Sequence, residues 1–107
     1  MRNFMAVMTG LVLLTAAAAS AADLKKGQAA YDEECKACHG ESGAPNPALM
    51  KKLKITMKDL RDPSVTAKSD AEWRKMITVG VGKMKPVTTL TGSAVDDVIA
   101  YSRSLKK

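Results

Sequence analysis

A chain of 107 residues has room for one domain, and one Phe, one Trp and two Tyr are a thin inventory from which to build a core unaided. Seventeen Lys and Arg against eleven Asp and Glu leave a formal charge of +6, a balance that points to nucleic acid, an anionic membrane surface or an acidic protein partner. Nucleic acid drops out first, because the chain has neither aromatic-interleaved basic clusters nor a known binding motif.

The first segment reads as an export signal. Arg2 supplies the positive start, Phe4 to Leu14 is apolar, and Thr15 to Ala22 is small residues in which Ala19-Ser20-Ala21 or Ser20-Ala21-Ala22 fits a cleavage site. An uncleaved spanning helix is the competing reading; the alanine-rich end and the switch to Asp23-Leu24-Lys25-Lys26 favour removal. Residues 1–22 are therefore expected to be a signal peptide and residues 23–107 the working domain, exported to the periplasm with no stable membrane insertion after cleavage. That domain would hold sixteen Lys and Arg against eleven Asp and Glu, a formal +5. A domain this small buries only about 60 to 65 per cent of the surface its unfolded chain exposes, so something besides side chains should fill the core.

Leu24, Gly27, Tyr31, Cys35 and Cys38 recur at spacings of three and four, which predicts a first helix over 24–38 that ends at His39-Gly40. Glu41 to Pro47 is a loop by its Gly and Pro content. Asn46 then caps a short helix with Pro47 at its first position, running to Leu53. Thr56-Met57-Lys58-Asp59 is expected to start a further single turn that ends before Pro63. Ser69-Asp70-Ala71-Glu72 fits the S-x-x-E capping box, which predicts a helix from Asp70 to about Val79 with Trp73, Met76 and Ile77 on one side. Gly80 and Gly82 break it and open an irregular loop from Gly80 to Leu90. Thr91 or Ser93 is expected to cap the last helix, whose face is Ala94, Val98, Tyr101 and Leu105 with Val95 and Ile99 beside it. No run alternates as a strand, so the fold class is all-α.

The chemistry lies in Cys35-Lys36-Ala37-Cys38-His39. C-x-x-C-H is the attachment signature of c-type haem: two thiols at helical spacing join the two vinyl groups, and the adjoining imidazole reaches the iron. Three other uses of these residues compete. A thioredoxin-like dithiol wants its reactive cysteine at a helix N-terminus, whereas this pair follows a predicted helix. A structural zinc site needs four ligands, and beyond Cys35, Cys38 and His39 the sequence has no further Cys or His. A disulfide would close a very short loop and leave His39, the export signal and the missing core bulk unconnected.

His39 is the only histidine, which excludes a bis-histidine iron site. Met50, Met57, Met76 and Met84 remain beyond the signal. Met50 and Met76 fall in predicted helices at packing positions, and Met57 is undecided. Met84 sits in the irregular Gly80-Val81-Gly82-Lys83-Met84-Lys85-Pro86, from which a loop can bring its thioether to the iron. His/Met ligation suits electron transfer, because it raises the potential and closes the iron to other ligands.

Taken in order, Gly27-x-x-x-Tyr31-x-x-x-Cys35-x-x-Cys38-His39-Gly40, Ser69-Asp70-Ala71-Glu72-Trp73, Gly82-Lys83-Met84 and Asp97-Val98-Ile99-Ala100-Tyr101 resemble a class I cytochrome c of the small bacterial monohaem type over the whole of 23–107. The resemblance implies a small cytochrome c fold in which the N- and C-terminal helices cross at Gly27 and Tyr101, with shorter helices wrapped around one covalent haem c. It implies Cys35 and Cys38 as the thioether attachments and His39 and Met84 as the axial iron ligands. It also implies that Pro47, or a carbonyl beside it, accepts the His39 Nδ1 proton. Lys85, between Met84 and Pro86, departs from the Met-Pro pair that members often carry. The function so implied is single-electron carriage rather than catalysis, by a monomer docking acidic redox partners through Lys36, Lys83 and Lys85. The alternative is a haem sensor or peroxidase-like enzyme with an open sixth site.

Overall fold

The computed structural model describes Gly10 and residues 22–106; the expected signal peptide and its cleavage lie outside the described residues. Six helices follow in chain order: α1 Leu24–Glu34, α2 Lys36–His39, α3 Pro47–Leu53, α4 Pro63–Thr66, α5 Asp70–Thr78 and α6 Ser93–Ser104. No strand occurs among the described residues, and the nearest thing to one is an isolated bridge between Val81 and Met84. None of these helices is long and apolar enough to cross a membrane.

The crossing of α1 and α6 organises the fold. Gly27 is buried in α1, and a β-carbon there would run into the Asp97 carbonyl oxygen of α6 and come within 2.9 Å of the Tyr101 β-carbon. Only glycine lets the two backbones approach so closely. One turn on, Tyr31 is wholly buried, and its ring meets Tyr101 edge-on with centroids 5.3 Å apart. The Asp97 carboxylate, buried between the helices, accepts the Asp23 amide at 2.8 Å. Asp23 in turn caps α1, accepting from the amides of Lys25 and Lys26. Neither role of Asp97 has a hydropathy signal, since an acidic residue in a helix ordinarily faces water.

Helix α5 also packs on α6, and Val65, Trp73, Ile77, Leu90, Val95, Val98 and Ile99 form one apolar cluster. The capping box that starts α5 is present in both directions: Ser69 Oγ accepts the Glu72 amide and Glu72 accepts the Ser69 amide. The Trp73 indole donates to the Val65 carbonyl at 3.2 Å. Arg103 lies over the same ring, and it donates to the carbonyls of Thr66 and Lys68 and to Asp70. The end of α6 is thereby tied to the segment between α4 and α5.

Three sequence expectations need correcting. The first helix does not run through to 38: α1 ends at Glu34 with Cys35, at φ −118°, as its cap, and α2 begins as a separate turn. The single turn expected from Thr56 lies instead at α4, where Asp62 caps the Ser64 amide and Pro63 takes the first helical position. Proline is suited there because its missing N–H is one that a helix start leaves unpaired anyway. Helix α6 takes Gly92, at φ +55°, as its N-cap with no side-chain cap, so neither Thr91 nor Ser93 does that work.

Candidate haem site

The break at Cys35 decides how the cysteine pair is presented. The Cys35 amide still closes α1 on the Tyr31 carbonyl at 2.8 Å, while its own carbonyl accepts from Cys38 at 3.2 Å and from His39 at 2.9 Å. The chain therefore keeps helical bonding on both sides of Cys35 and makes one turn from it to His39. Gly40 follows at φ +71°, where a side chain would strike the Ala44 carbonyl. The Tyr31 hydroxyl donates to the Gly40 carbonyl at 2.7 Å, so a buried residue of α1 holds the main chain just beyond His39. Burial and neighbouring acidic groups push this hydroxyl well above the ordinary tyrosine range, and it remains a donor.

Cys35, Cys38 and His39 form one side of a cavity of about 840 Å³, within the size range of pockets that enclose sizeable organic ligands. Trp73, Ile77 and Val98 of the apolar cluster, with Leu60 and Val87, give it greasy walls. Met84 lines the same cavity. All four residues singled out in the sequence are brought together, although His39 and Met84 lie 45 positions apart in the chain. Met57 and Met76 also reach the cavity, which the pattern of apolar residues did not distinguish from packing. Met50 instead accepts the Met57 amide on its sulfur at 3.3 Å.

The thiols of Cys35 and Cys38 are unpaired. Burial, with Glu34 and Cys38 nearby, pushes the Cys35 thiol up to about 11, the opposite of what an attacking thiolate requires. The dithiol reading therefore weakens on a ground other than the expected one, for Cys35 does stand at the start of α2. Burial lowers the His39 pKa, which favours the neutral imidazole that binds a metal. Its Nδ1 is buried with no hydrogen-bond partner. The acceptor expected at or beside Pro47 does not engage it. A buried polar atom without a partner costs about 1–3 kcal/mol. A largely apolar cavity lined by two free thiols and the adjoining imidazole fits a covalently held porphyrin. The zinc alternative finds no support, since no cluster of three or more metal-binding side chains assembles among the described residues.

Residues 22–101 match the family model described as cytochrome c oxidase, cbb3-type, subunit III. The chain belongs to this cytochrome c family. Among solved structures it is similar to the KustC0563 c-type cytochrome, at 27% identity and a TM-score of 0.63 over 76% of this chain and 98% of that one. No curated protein matches. The cytochrome is thus a small all-α class I protein that carries covalent haem c and serves haem-based electron transfer; the oxidase in the family's description is said of the proteins that gave the model its name. Four lysines line its cavity: Lys83 and Lys85, expected from the sequence, and Lys58 and Lys68, which were not. Lys36 is exposed on α2 beside the cysteines.

Proposed function

We propose that this cytochrome is a single-electron carrier in which Cys35 and Cys38 hold the haem as thioethers and His39 and Met84 are the two axial ligands. One observation carries the reading: the two thiols, the only imidazole of the chain and the Met84 loop all meet on one largely apolar cavity. Bound there, haem supplies a one-electron ferric/ferrous couple.

The chain's part is to hold and shield. Trp73, Ile77 and Val98 exclude water from the cavity, and the Tyr31 clasp on Gly40 fixes the main chain behind His39. Met84 is preferred over Met57 and Met76 because it alone sits in a turn closed by its own backbone: the Val81 amide donates to the Met84 carbonyl at 3.0 Å and the Met84 amide to the Val81 carbonyl at 2.9 Å. Met76 is borne on α5, whereas Met84, which packs against the same apolar cluster, is carried by the loop after it. Exposed Lys83 and Lys85 at the cavity and Lys36 beside it present positive charge to an acidic redox partner. Export to the periplasm by a cleaved signal at residues 1–22, and action as a monomer, complete the proposal.

The test is Met84→Ala on the haem-loaded protein. Haem should stay attached, the reduction potential should fall, and the ferrous protein should gain carbon monoxide binding that the parent resists. Met76→Ala is the control; it should lose about 2–5 kcal/mol of stability through packing and keep the parent spectrum. Rapid carbon monoxide binding by the parent would overturn the closed site in favour of a sensor or peroxidase-like enzyme. If instead Met57→Ala or Met76→Ala lost the low-spin spectrum, the ligand assignment would be wrong.

A further inference from the structure

The Met84 loop is seated against a residue outside the proposed ligand set. Helix α5 ends at Thr78 with Val79 as its cap, and Gly80 follows at φ +88°, the left-handed conformation that reverses a chain after a helix. A β-carbon on Gly80 would stand 2.6 Å from the Met84 carbonyl oxygen and 3.0 Å from both the nitrogen and Cδ of Pro86. These are main-chain or ring atoms, with no rotamer into which they can withdraw.

Beyond Gly80 the segment closes on itself through the paired Val81 and Met84 hydrogen bonds. Gly82, at φ +54°, takes the first central position of that turn, the place glycine fills in a type II′ hairpin turn. The exit of the loop is tied back to α5 by the Val87 amide, which donates to the Ile77 carbonyl at 2.8 Å. The Met84 main chain is thus held between its own turn and the bare α-carbon of Gly80.

We propose that Gly80 is the positioning residue for the sixth ligand: its lack of a side chain lets the Met84 carbonyl and Pro86 seat against the end of α5, and that seat sets how far the Met84 thioether reaches into the cavity. The proposal rests on Met84 being the ligand. It also gives Lys85 a place. With one residue between Met84 and the proline, Pro86 rather than an adjacent proline meets Gly80, while Lys85 stays exposed.

Alanine at position 80 meets left-handed strain and collision together, and both are relieved when the loop backs away from α5. The open form should then gain about tenfold or more over the parent. The experiment measures carbon monoxide binding and low-spin absorption bands of haem-loaded Gly80→Ala, with thermal unfolding alongside. Gly92→Ala is the control, since that residue is also left-handed, at φ +55°, with nothing within 4 Å of its β-position.

Gly80→Ala should bind carbon monoxide and lose low-spin intensity, whereas Gly92→Ala should lose stability alone. Gly80→Asn separates the two causes, because asparagine tolerates positive φ yet still carries a β-carbon; it should open the site as well. In a Met84→Ala background, Gly80→Ala should add nothing further to carbon monoxide binding. A Gly80→Ala protein that keeps the parent spectrum and resists carbon monoxide would overturn the proposal. So would a further gain in the Met84→Ala background, or failure of both Gly80 variants to load haem while Gly92→Ala loads normally. Failure of the ligand reading shows separately, as an unchanged spectrum in Met84→Ala alone.

Discussion

Gly27→Ala puts the helix crossing to a quantitative test, because two opposing effects of known size meet there. Alanine in a helix interior is favoured over glycine by about 1 kcal/mol, so on propensity alone the substitution should stabilise α1. Against this, the new β-carbon would lie 2.7 Å from the Asp97 carbonyl carbon and nearer still to its oxygen. Ordinary contact begins at 3.4 Å, so α1 and α6 must part by about 0.7 Å even to relieve the carbon, and neither backbone can rotate aside. Overpacking of this kind costs about 1–3 kcal/mol. The parting also loosens the edge-on Tyr31–Tyr101 contact, a pair of a type worth about 0.5–1.5 kcal/mol, and lengthens the bond from the Asp23 amide to Asp97. Sterics should win, leaving a net loss of about 1–3 kcal/mol and a fall in Tm on the order of 10 °C. Thermal unfolding of the haem-loaded protein, followed by far-ultraviolet circular dichroism, reads this directly. A Gly27→Ala protein as stable as the parent, or more so, would mean that propensity wins and that the helices do not approach as closely as described.

Removing both thiols, by Cys35→Ala with Cys38→Ala, should leave the chain largely unfolded; a native-like helical spectrum with a sharp thermal transition in the absence of haem would refute the view that haem completes the core. Reversing Lys36, Lys83 and Lys85 to glutamate should slow electron delivery to the native acceptor and flatten its salt dependence, since steering is screened over about 8 Å at physiological ionic strength; an unchanged rate at low salt would place the docking face elsewhere. Tyr31→Phe should cost about 1–3 kcal/mol by stripping the Gly40 carbonyl of its buried donor, and a calorimetric stability equal to the parent's would show that the clasp contributes nothing.

What the sequence made legible was whatever is encoded locally. C-x-x-C-H, the Ser69 capping box and the Asn46-Pro47 helix start are each a few adjacent residues whose chemistry fixes one local geometry, and the last two are found as expected. The Gly27–Tyr101 crossing was legible only through resemblance, since nothing in either helix announces its partner. The break at Cys35 was hidden because the three-and-four spacing of apolar residues continues straight across it, and only the dihedral angles reveal the turn. The turn expected near Thr56 was misplaced because Asp62-Pro63 is the stronger start signal, read at the sequence level merely as a stop. The contacts of Asp97, noticed only within a motif, and of Gly80, noticed only as a helix breaker, were hidden for a shared reason. Each matters through contact with a backbone brought to it from elsewhere or folded back onto it, and such an approach leaves no trace in residue type.

A carrier differs from an enzyme in what its site must not do, and the arrangement around the cavity bears on that difference. Fast one-electron exchange requires that the ligand geometry change little between oxidation states, so each ligand should be held by something stiffer than its own side chain. Behind His39 stands the main chain of Gly40, turned at φ +71° and held by a hydroxyl from a wholly buried tyrosine. Behind Met84 stands a turn closed by two backbone hydrogen bonds and seated on Gly80. In both cases the segment is irregular, yet it is fixed by glycine at positive φ and by contacts to a helix, α1 for one and α5 for the other. Glycine in these loops therefore permits close packing and does not simply loosen the chain, which is the reverse of what glycine content alone suggests. A sensor would want one of these two braces absent, so that an incoming gas could displace the ligand at little cost. Here each brace acts on the main chain beside the residue, and if His39 and Met84 are the ligands, as proposed above, a site held in that way suits carriage of electrons better than exchange of ligands.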